Sequence, residues 1–531
     1  MVATQQSPAE ILRDHVTLEV ECIDRMYLNL FVPQLQVEGA AAAFFLKHRK
    51  QTLYLGRQMS LMTQRFRKEI DAFALREDVP VVHFEKGERK DDVFLKRLRT
   101  FDRDEGVVFI GVAQEKAHVM RIVQRKRKDG KPYPWITKGT AMVNHVYFYC
   151  LDRDLGPFFL KFCTYFPYPA KLCLNGHEYA KQQLKAGGIG FTALDNGFLT
   201  CDDPETLQNI CRQLTPEVID DVARKWLRQL PHPFEQQDRL AGYSYQISMV
   251  QVEFSLTQVL DRPVHGRLFF EQVIRENIDI GRPAQVGLIF KRRIPRNSSA
   301  TFRTRVVTDG VIPSLHFYYK SVHVKQYFKE GRALRTETTI NNTRDVGVKR
   351  MLPNLVSLQP IGFSANRHLL DVQQVSHDCM IGHETIEQLA TPIVVGDQRV
   401  PALRVYDPRI QALFSVLVLF CVQPEGFQAK DFRAFLAPLL GLDPAQLSQG
   451  QITYNLRRLR LRGLIARVPK SHRYRVTPLG IRIALFSTRT YARIFRTGFA
   501  LIRTSSAPLN RAFLAADREI ARLFDQAKLA A

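Results

Sequence analysis

Carboxylates that fall close together between short apolar runs are the residues in this chain best suited to chemistry. Asp152 and Asp154 sit in LeuAspArgAspLeuGly, Glu178 follows in AsnGlyHisGluTyr beside His177, and Asp195 lies in LeuAspAsnGly. Nucleases and strand-transfer enzymes use two or three carboxylates to hold Mg²⁺ or Mn²⁺ against a scissile phosphate. These four acids are therefore the candidate metal ligands. An ordinary reading stands beside that one, since Asp-x-Asp-x-Gly is a common turn and His-Glu is common at a helix start. A second candidate set, His323, Tyr327 and Glu337, lies further on, where Tyr319 or Tyr327 is the candidate nucleophile.

The elements that must position the first set read as a strand from Asn144, a tight turn over Asp152 to Gly156, and a returning strand to Phe162. A helix with Asn175 as N-cap would then carry Glu178. The second set belongs to ProSerLeuHisPheTyrTyrLysSerValHisValLysGlnTyrPheLysGluGlyArgAlaLeuArgThrGluThrThr, which reads as two long strands joined at Lys329, Glu330 and Gly331. That loop places Phe328 opposite Arg332. Val322, Val324, Phe328, Leu334, Thr336, Thr338 and Ile340 then share an apolar face. The other face carries His323 opposite Glu337, Lys325 opposite Arg335, and Tyr327 beside Ala333. Two cations directly opposite destabilise a hairpin unless an anion lies between them, and phosphate is the natural candidate in a basic chain.

The chain has 531 residues, of which 45% are hydrophobic, so several domains with proper cores are expected. Lysine and arginine number 76 against 52 acids, a formal charge of +24, which points to a polyanionic partner, nucleic acid before a membrane surface. The eight cysteines form no CxxC pair and lie in or beside apolar runs, as reduced core thiols do. The apolar run over 412–422 is too short to span a bilayer, and the start has no secretory character. A cytoplasmic protein without a membrane partner is expected.

Taken in order, residues 1–95 form an N-terminal α/β region, with Met59, Met62, Phe66, Ile70 and Phe73 at helical spacing. Residues 96–235 form a strand-rich domain holding the acidic set. Its basic turn over 125–135 contains Tyr133 and Trp135, a mixture that suits single-stranded nucleic acid. Residues 240–345 form a basic antiparallel sheet domain with a helix over 268–278, in the order β-α-β-β-β-β. Lys291, Arg292, Arg293, Arg296, Arg303, Arg305, Lys320, Lys325 and Arg335 could give this sheet a cationic face for a phosphate backbone. Over its closing hairpin it resembles the replication initiators of small phages and plasmids. Residues 346–404 are a connector.

The C-terminal module is the most specific stretch. A buried helix over 407–420 and a second over 429–440 precede SerGlnGlyGlnIleThrTyrAsnLeuArgArgLeuArgLeuArgGlyLeuIle, in which Ile452, Leu456, Leu459 and Leu461 face inward and the arginines mostly face out. Gly463 ends that helix, 466–477 makes a basic hairpin, and ThrProLeuGly opens the closing helix. This succession, over 405–495, resembles a winged-helix DNA-binding domain. The resemblance implies that Gln449, Gln451, Thr453, Tyr454, Arg457 and Arg458 approach the major groove, while Lys470, His472, Arg473 and Arg475 hold the wing against the backbone or minor groove. Residues 496–531 read as an amphipathic C-terminal helix.

The expected architecture is an α+β multidomain chain of mostly antiparallel sheet domains with packed helices, followed by a C-terminal winged-helix domain. The expected function is nucleic-acid binding, with DNA favoured over RNA, in a metal-dependent nuclease, strand transferase or replication initiator using Mg²⁺ or Mn²⁺. The alternative is a non-catalytic DNA-binding regulator or initiator whose upper region binds a partner.

Overall fold

The computed structural model describes residues 7–51, 55–85, 87–126, 128–277, 286–290, 303–309, 312–377, 381–405, 407–421, 423, 426–469, 471–491, 519 and 522. The chain is α+β, and its backbone forms two units. One comprises Leu18–Thr257 with Thr339–Pro360, and the other comprises Met1–Thr17, Gln258–Thr338 and Ile361–Ala531.

In the first unit the strand order is Gln246–Leu260, Val16–Phe31, Ala170–Asn175, Gly156–Cys163, Pro132–Asp152, Gly106–Lys126 and Val81–His83. Adjacent strands from Val16–Phe31 to Gly106–Lys126 run antiparallel, and Val81–His83 joins the edge in parallel. Alternation explains the two faces of this sheet. Phe148 and Phe162 point one way, against the helix Leu55–Arg76. Its expected stripe of Met59, Met62, Phe66, Ile70 and Phe73 is buried there, with the Phe66 and Phe162 rings 5.8 Å apart. Tyr147, Tyr149 and Phe109 point the other way, and the last two rings stack at 4.4 Å.

The basic turn is shorter than its composition suggests. Arg125 pairs with Tyr133 inside a ladder that runs without interruption from Phe109 to Lys126. Trp135 is engaged by its own chain: Arg125 lies over its ring at 5.3 Å, and its indole N–H donates to Glu38.

The second unit holds a mixed sheet in the order Val286–Phe290, Arg303–Asp309, Ile312–Tyr319, Val322–Lys329 and Ala333–Ile340. The first two are parallel and the next two pairings antiparallel. The arm from Pro313 to Phe328 is therefore two strands rather than the single long strand expected. The chain reverses at Lys320 and Ser321, with Lys320 at φ 50° and Tyr319 paired to Val322. A lysine in the left-handed region gives no sequence signal of the kind glycine gives.

Val322–Lys329 and Ala333–Ile340 bury the expected apolar face, and Ala333 and Arg335 on the opposite face are buried as well. Val322, Val324, Leu334, Thr336, Thr338 and Ile340 are buried. Gln326 and Gln373 exchange amide hydrogen bonds of 3.0 and 2.7 Å, and Thr338 bonds Asn366 at 2.7 Å, which ties the helix Leu355–His377 to this sheet. The helix Pro263–Asn277 begins earlier than periodicity suggests, so that Gly266 lies within it. A Cβ there would sit 1.9 Å from the Phe328 ring, so glycine is what allows this helix to approach the strand.

After the short hairpin Ile393–Val395 with Gln398–Val400, the C-terminal part of this unit runs helix Pro408–Phe420, strand Phe427–Gln428, helix Ala429–Leu439, helix Gln449–Leu461, strands Ile465–Arg467 and Arg473–Val476, and helix Pro478–Thr490. Pro408–Phe420 is buried on every side from Ile410 on, as its unbroken apolar run demands. Phe427 stacks on Phe420 at 4.4 Å, with Phe432 and Tyr474 beside it. Among the described residues no helix is long and apolar enough to cross a membrane. The described cysteines are free thiols. Arg292, Arg293, Lys470, Cys379 and nearly all of the expected 496–531 helix lie outside the described residues.

Candidate functional site

The helix Gln449–Leu461 is built to present one face. Ser448 caps it, its hydroxyl accepting from the Gln451 N–H while the Gln451 side chain accepts from the Ser448 N–H. At the other end Leu464 N–H bonds the Leu459 carbonyl and Gly463 N–H bonds that of Arg460, with Gly463 at φ 72°. Ile452, Leu456 and Leu459 are buried, whereas Gln449, Gln451, Thr453, Tyr454, Arg457 and Arg460 are exposed.

The other two arginines of the run are not surface groups. Arg458 is half-buried and donates to the Pro401 and Ala402 carbonyls. Arg462 is 9% exposed and donates to Gln388 at 2.6 Å, Thr391 at 2.7 Å, Pro401 at 3.0 Å and Val400 at 3.3 Å. Burial, with the nearby Arg458, pulls its pKa down to about 10, so it remains charged at neutral pH. Helical spacing alone cannot distinguish a solvated arginine from one that gathers carbonyls.

The strands Ile465–Arg467 and Arg473–Val476 form an antiparallel pair, to which Phe427–Gln428 adds a third strand on the Arg473–Val476 side. Arg467, His472 and Arg475 are exposed. Arg473 is half-buried and donates to the Gly426 carbonyl at 3.3 Å. Thr477 caps the last helix through the Gly480 N–H at 3.0 Å. A Cβ at Gly480 would lie 2.0 Å from the Leu464 carbonyl oxygen, so the ThrProLeuGly signal reflects a close backbone approach.

The four acids stand differently. Asp152 is 1% exposed and saturated: one oxygen accepts from the Asp154 and Leu155 N–H groups, both at 2.9 Å, the other from Lys225 at 2.8 Å and the Trp226 indole at 2.7 Å. Burial alone would raise its pKa, but the Lys225 ammonium and the other donors hold it below the usual carboxylate value. Asn175 caps its helix as expected. The Lys181 ammonium occupies the space between Glu178, at 2.7 Å, and the carbonyls of Leu194 and Asp195, at 3.3 and 3.2 Å. Asp154 is exposed and its carbonyl accepts from Gln183. Among the described residues these four acids do not converge into one ligand group.

One set of three does converge: His15, Asp261 and His265. Both imidazoles turn Nδ1 to the Asp261 carboxylate, at 3.1 and 2.6 Å, and their rings stack at 3.5 Å with 25° between planes. Both rings thus bond one carboxylate, which ties His15 to the start of the helix Pro263–Asn277. Two imidazoles are not the all-oxygen surroundings that Mg²⁺ prefers.

In the hairpin, Tyr327 donates to Glu337 at 2.8 Å and the buried Arg335 donates to the same oxygen at 3.2 Å. Arg335 thus has the chain's own Glu337 as its anion. Lys325 lies 3.8 Å from the centre of the Tyr327 ring. His323 faces elsewhere: its Nε2 is 2.9 Å from His316 Nδ1, and Tyr318 stacks on it at 4.3 Å. Burial, then Lys325, pulls the pKa of His323 down to about 4. The His316–His323 pair is invisible while Pro313–Phe328 is read as one strand, because only the reversal at Lys320 brings the rings together. Arg303 pairs with Tyr318 and Arg305 with His316 in the backbone ladder, and Lys320 is paired with Asp431 at 3.3 Å.

No protein-family model matches the chain, and neither a curated protein nor a solved structure matches it significantly.

Proposed function

We propose that this chain is a non-catalytic duplex-DNA-binding protein whose C-terminal segment is a winged helix. The observation that carries the reading is the helix Gln449–Leu461, capped at both ends, with its apolar side buried and Gln451, Thr453, Tyr454, Arg457 and Arg460 turned to solvent. A helix of this kind, followed by a basic two-stranded hairpin, fits the major groove with the hairpin against the backbone. The two glutamines and Arg457 are the groups to read base edges. Arg467, His472 and Arg475 are the groups to meet phosphates. The formal charge of +24 adds long-range attraction to any polyanion.

Binding is favoured over metal-dependent cleavage because both oxygens of the buried Asp152 are taken by donors of the chain and the Lys181 ammonium is bonded to the Glu178 carboxylate. The test is purified full-length protein with labelled duplex DNA, single-stranded DNA and RNA, in Mg²⁺, Mn²⁺ and EDTA, followed by mobility shift and by cleavage. The expected result is a salt-sensitive shift, strongest on duplex DNA, equal in EDTA and metal, with the DNA intact. Metal-dependent cuts lost in Asp152→Ala or Glu178→Ala would replace this reading with the nuclease, and the absence of a shift on every substrate would end both.

A further inference from the structure

The tyrosine face of the first unit's sheet carries a row of polar residues across neighbouring strands. Asn29 lies opposite Lys171, Lys171 opposite Lys161, Lys161 opposite Tyr147, and Tyr147 opposite Gly111. Two lysines directly opposite each other on adjacent strands repel, so this pairing calls for an anion. Glu115 answers part of that need. Its carboxylate accepts from Lys90 at 2.5 Å, from Lys161 and from Tyr147, while Lys90 also donates to the Tyr147 hydroxyl at 2.8 Å.

These bonds use up Glu115. Among the described residues it is the one carboxylate lining the cavity of about 480 Å³ that opens beside this row, whereas Lys116, Lys138, Lys161 and Lys171 all line it. The cavity therefore keeps a positive excess. Phe31, Val119, Met120, Pro167 and Pro169 supply apolar lining, beside His118 and His145. Its size falls within the usual range for a small-molecule site.

We propose that this cavity binds a phosphate monoester attached to a nucleoside, with the phosphate bridging Lys171 and Lys161 and the base against the Phe31 and proline wall. Lys90, Lys161 and Lys171 stand against the single charge of Glu115, so a phosphate dianion offsets the two that remain, and its tetrahedral oxygens can accept from both Lys161 and Lys171. A carboxylate would balance only one. The source is either a free nucleotide or the phosphorylated end of a nucleic-acid strand. The site is separate from the duplex-binding helix and does not depend on that reading.

The test titrates the full-length protein by calorimetry with inorganic phosphate, adenosine and uridine 5′-monophosphates, the two nucleosides, and a single-stranded oligonucleotide with and without a 5′-phosphate. The monophosphates are expected to bind and the nucleosides to bind at least tenfold more weakly. Lys171→Gln, a change at an exposed side chain that leaves Glu115 and its partners in place, is expected to weaken monophosphate binding roughly ten- to a hundredfold, the worth of a hydrogen bond to a charged group. Its melting profile and duplex-DNA affinity should match those of the wild type. A 5′-phosphate that strengthens oligonucleotide binding would assign the site to strand ends, and one without effect would assign it to free nucleotides. Monophosphates that bind no better than nucleosides, or a Lys171→Gln protein with undiminished affinity, would overturn the proposal.

Discussion

Arg457 lies in the helix Gln449–Leu461 and Arg462 caps its C-terminal end five residues on, and replacing each should have a different effect. In Arg462→Met the guanidinium that gathers the carbonyls of Gln388, Thr391, Pro401 and Val400 is lost. Each buried carbonyl left without a donor costs about 1–3 kcal/mol. Two effects offset this: removing a buried charge recovers desolvation energy, and carbonyls near the hairpin Ile393–Val395/Gln398–Val400 can turn to water. The net loss should be roughly 3 kcal/mol, or about 6–12 °C in melting midpoint for a unit of this size. Because Val394 is already exposed, limited proteolysis should find the variant cut near residues 391–400 well before the wild type. Arg462→Lys keeps the charge but not the fork of donors, and should fall in between. Arg457→Gln, on the exposed face, should melt within about 0.5 kcal/mol of the wild type. Circular dichroism melts and a time course of digestion decide the matter. An Arg462→Met protein as stable and as protease-resistant as the wild type would refute the assignment of that arginine as a structural clamp.

Asp152→Asn should lower stability by about 2–3 kcal/mol by breaking the charge-assisted bonds to Lys225 and Trp226, while duplex affinity, read by anisotropy, stays within about twofold. Glu337→Gln strips a carboxylate from the fully buried Arg335 and should cost about 3 kcal/mol in urea denaturation, where a loss below about 1 would mean that Arg335 is held chiefly by other groups. Burial opposes the ionisation of Glu115, but the bonds from Lys161, Lys90 and Tyr147 win and hold its pKa at about 2 against an ordinary 4.5. A carboxyl lowered on folding adds stability above its unfolded pKa, and that stability is lost as pH falls from about 4.5 toward 2, here roughly 1–2 kcal/mol after allowance for partial exposure. Glu115→Gln should therefore be less stable at pH 7 and lose correspondingly less on acidification.

Where a local rule governs the outcome, the sequence was a good guide. The Asn175 cap, the Met59–Phe73 stripe and the inward Ile452, Leu456 and Leu459 all depend on spacing within one element, and spacing survives folding, although Leu461 at the helix end is only half-buried. The apolar face of the hairpin was readable for the same reason, since alternation in a strand fixes it, whereas the burial of Arg335 on the other face was not. What was hidden depends on partners distant in sequence. Asp152 reads as a ligand until Lys225 and Trp226 close on it, and Arg462 reads as a surface cation until residues 388–401 wrap around it. Lys320 ends a strand with no glycine to announce it, which concealed the His316–His323 pair. The lysine row was out of reach too, because Asn29, Lys171, Lys161 and Tyr147 come from four strands whose order the sequence does not state.

The central claim, duplex binding through the Gln449–Leu461 helix and its following hairpin, is tested most directly by the salt dependence of affinity. Wild type, Arg457→Gln and Arg475→Gln would be titrated against one duplex in EDTA across a range of salt. The account predicts linear falls in log affinity with log salt, a loss of about 1–3 kcal/mol in Arg457→Gln and a slope shallower by roughly one phosphate contact in Arg475→Gln. Identical lines for all three proteins would contradict it.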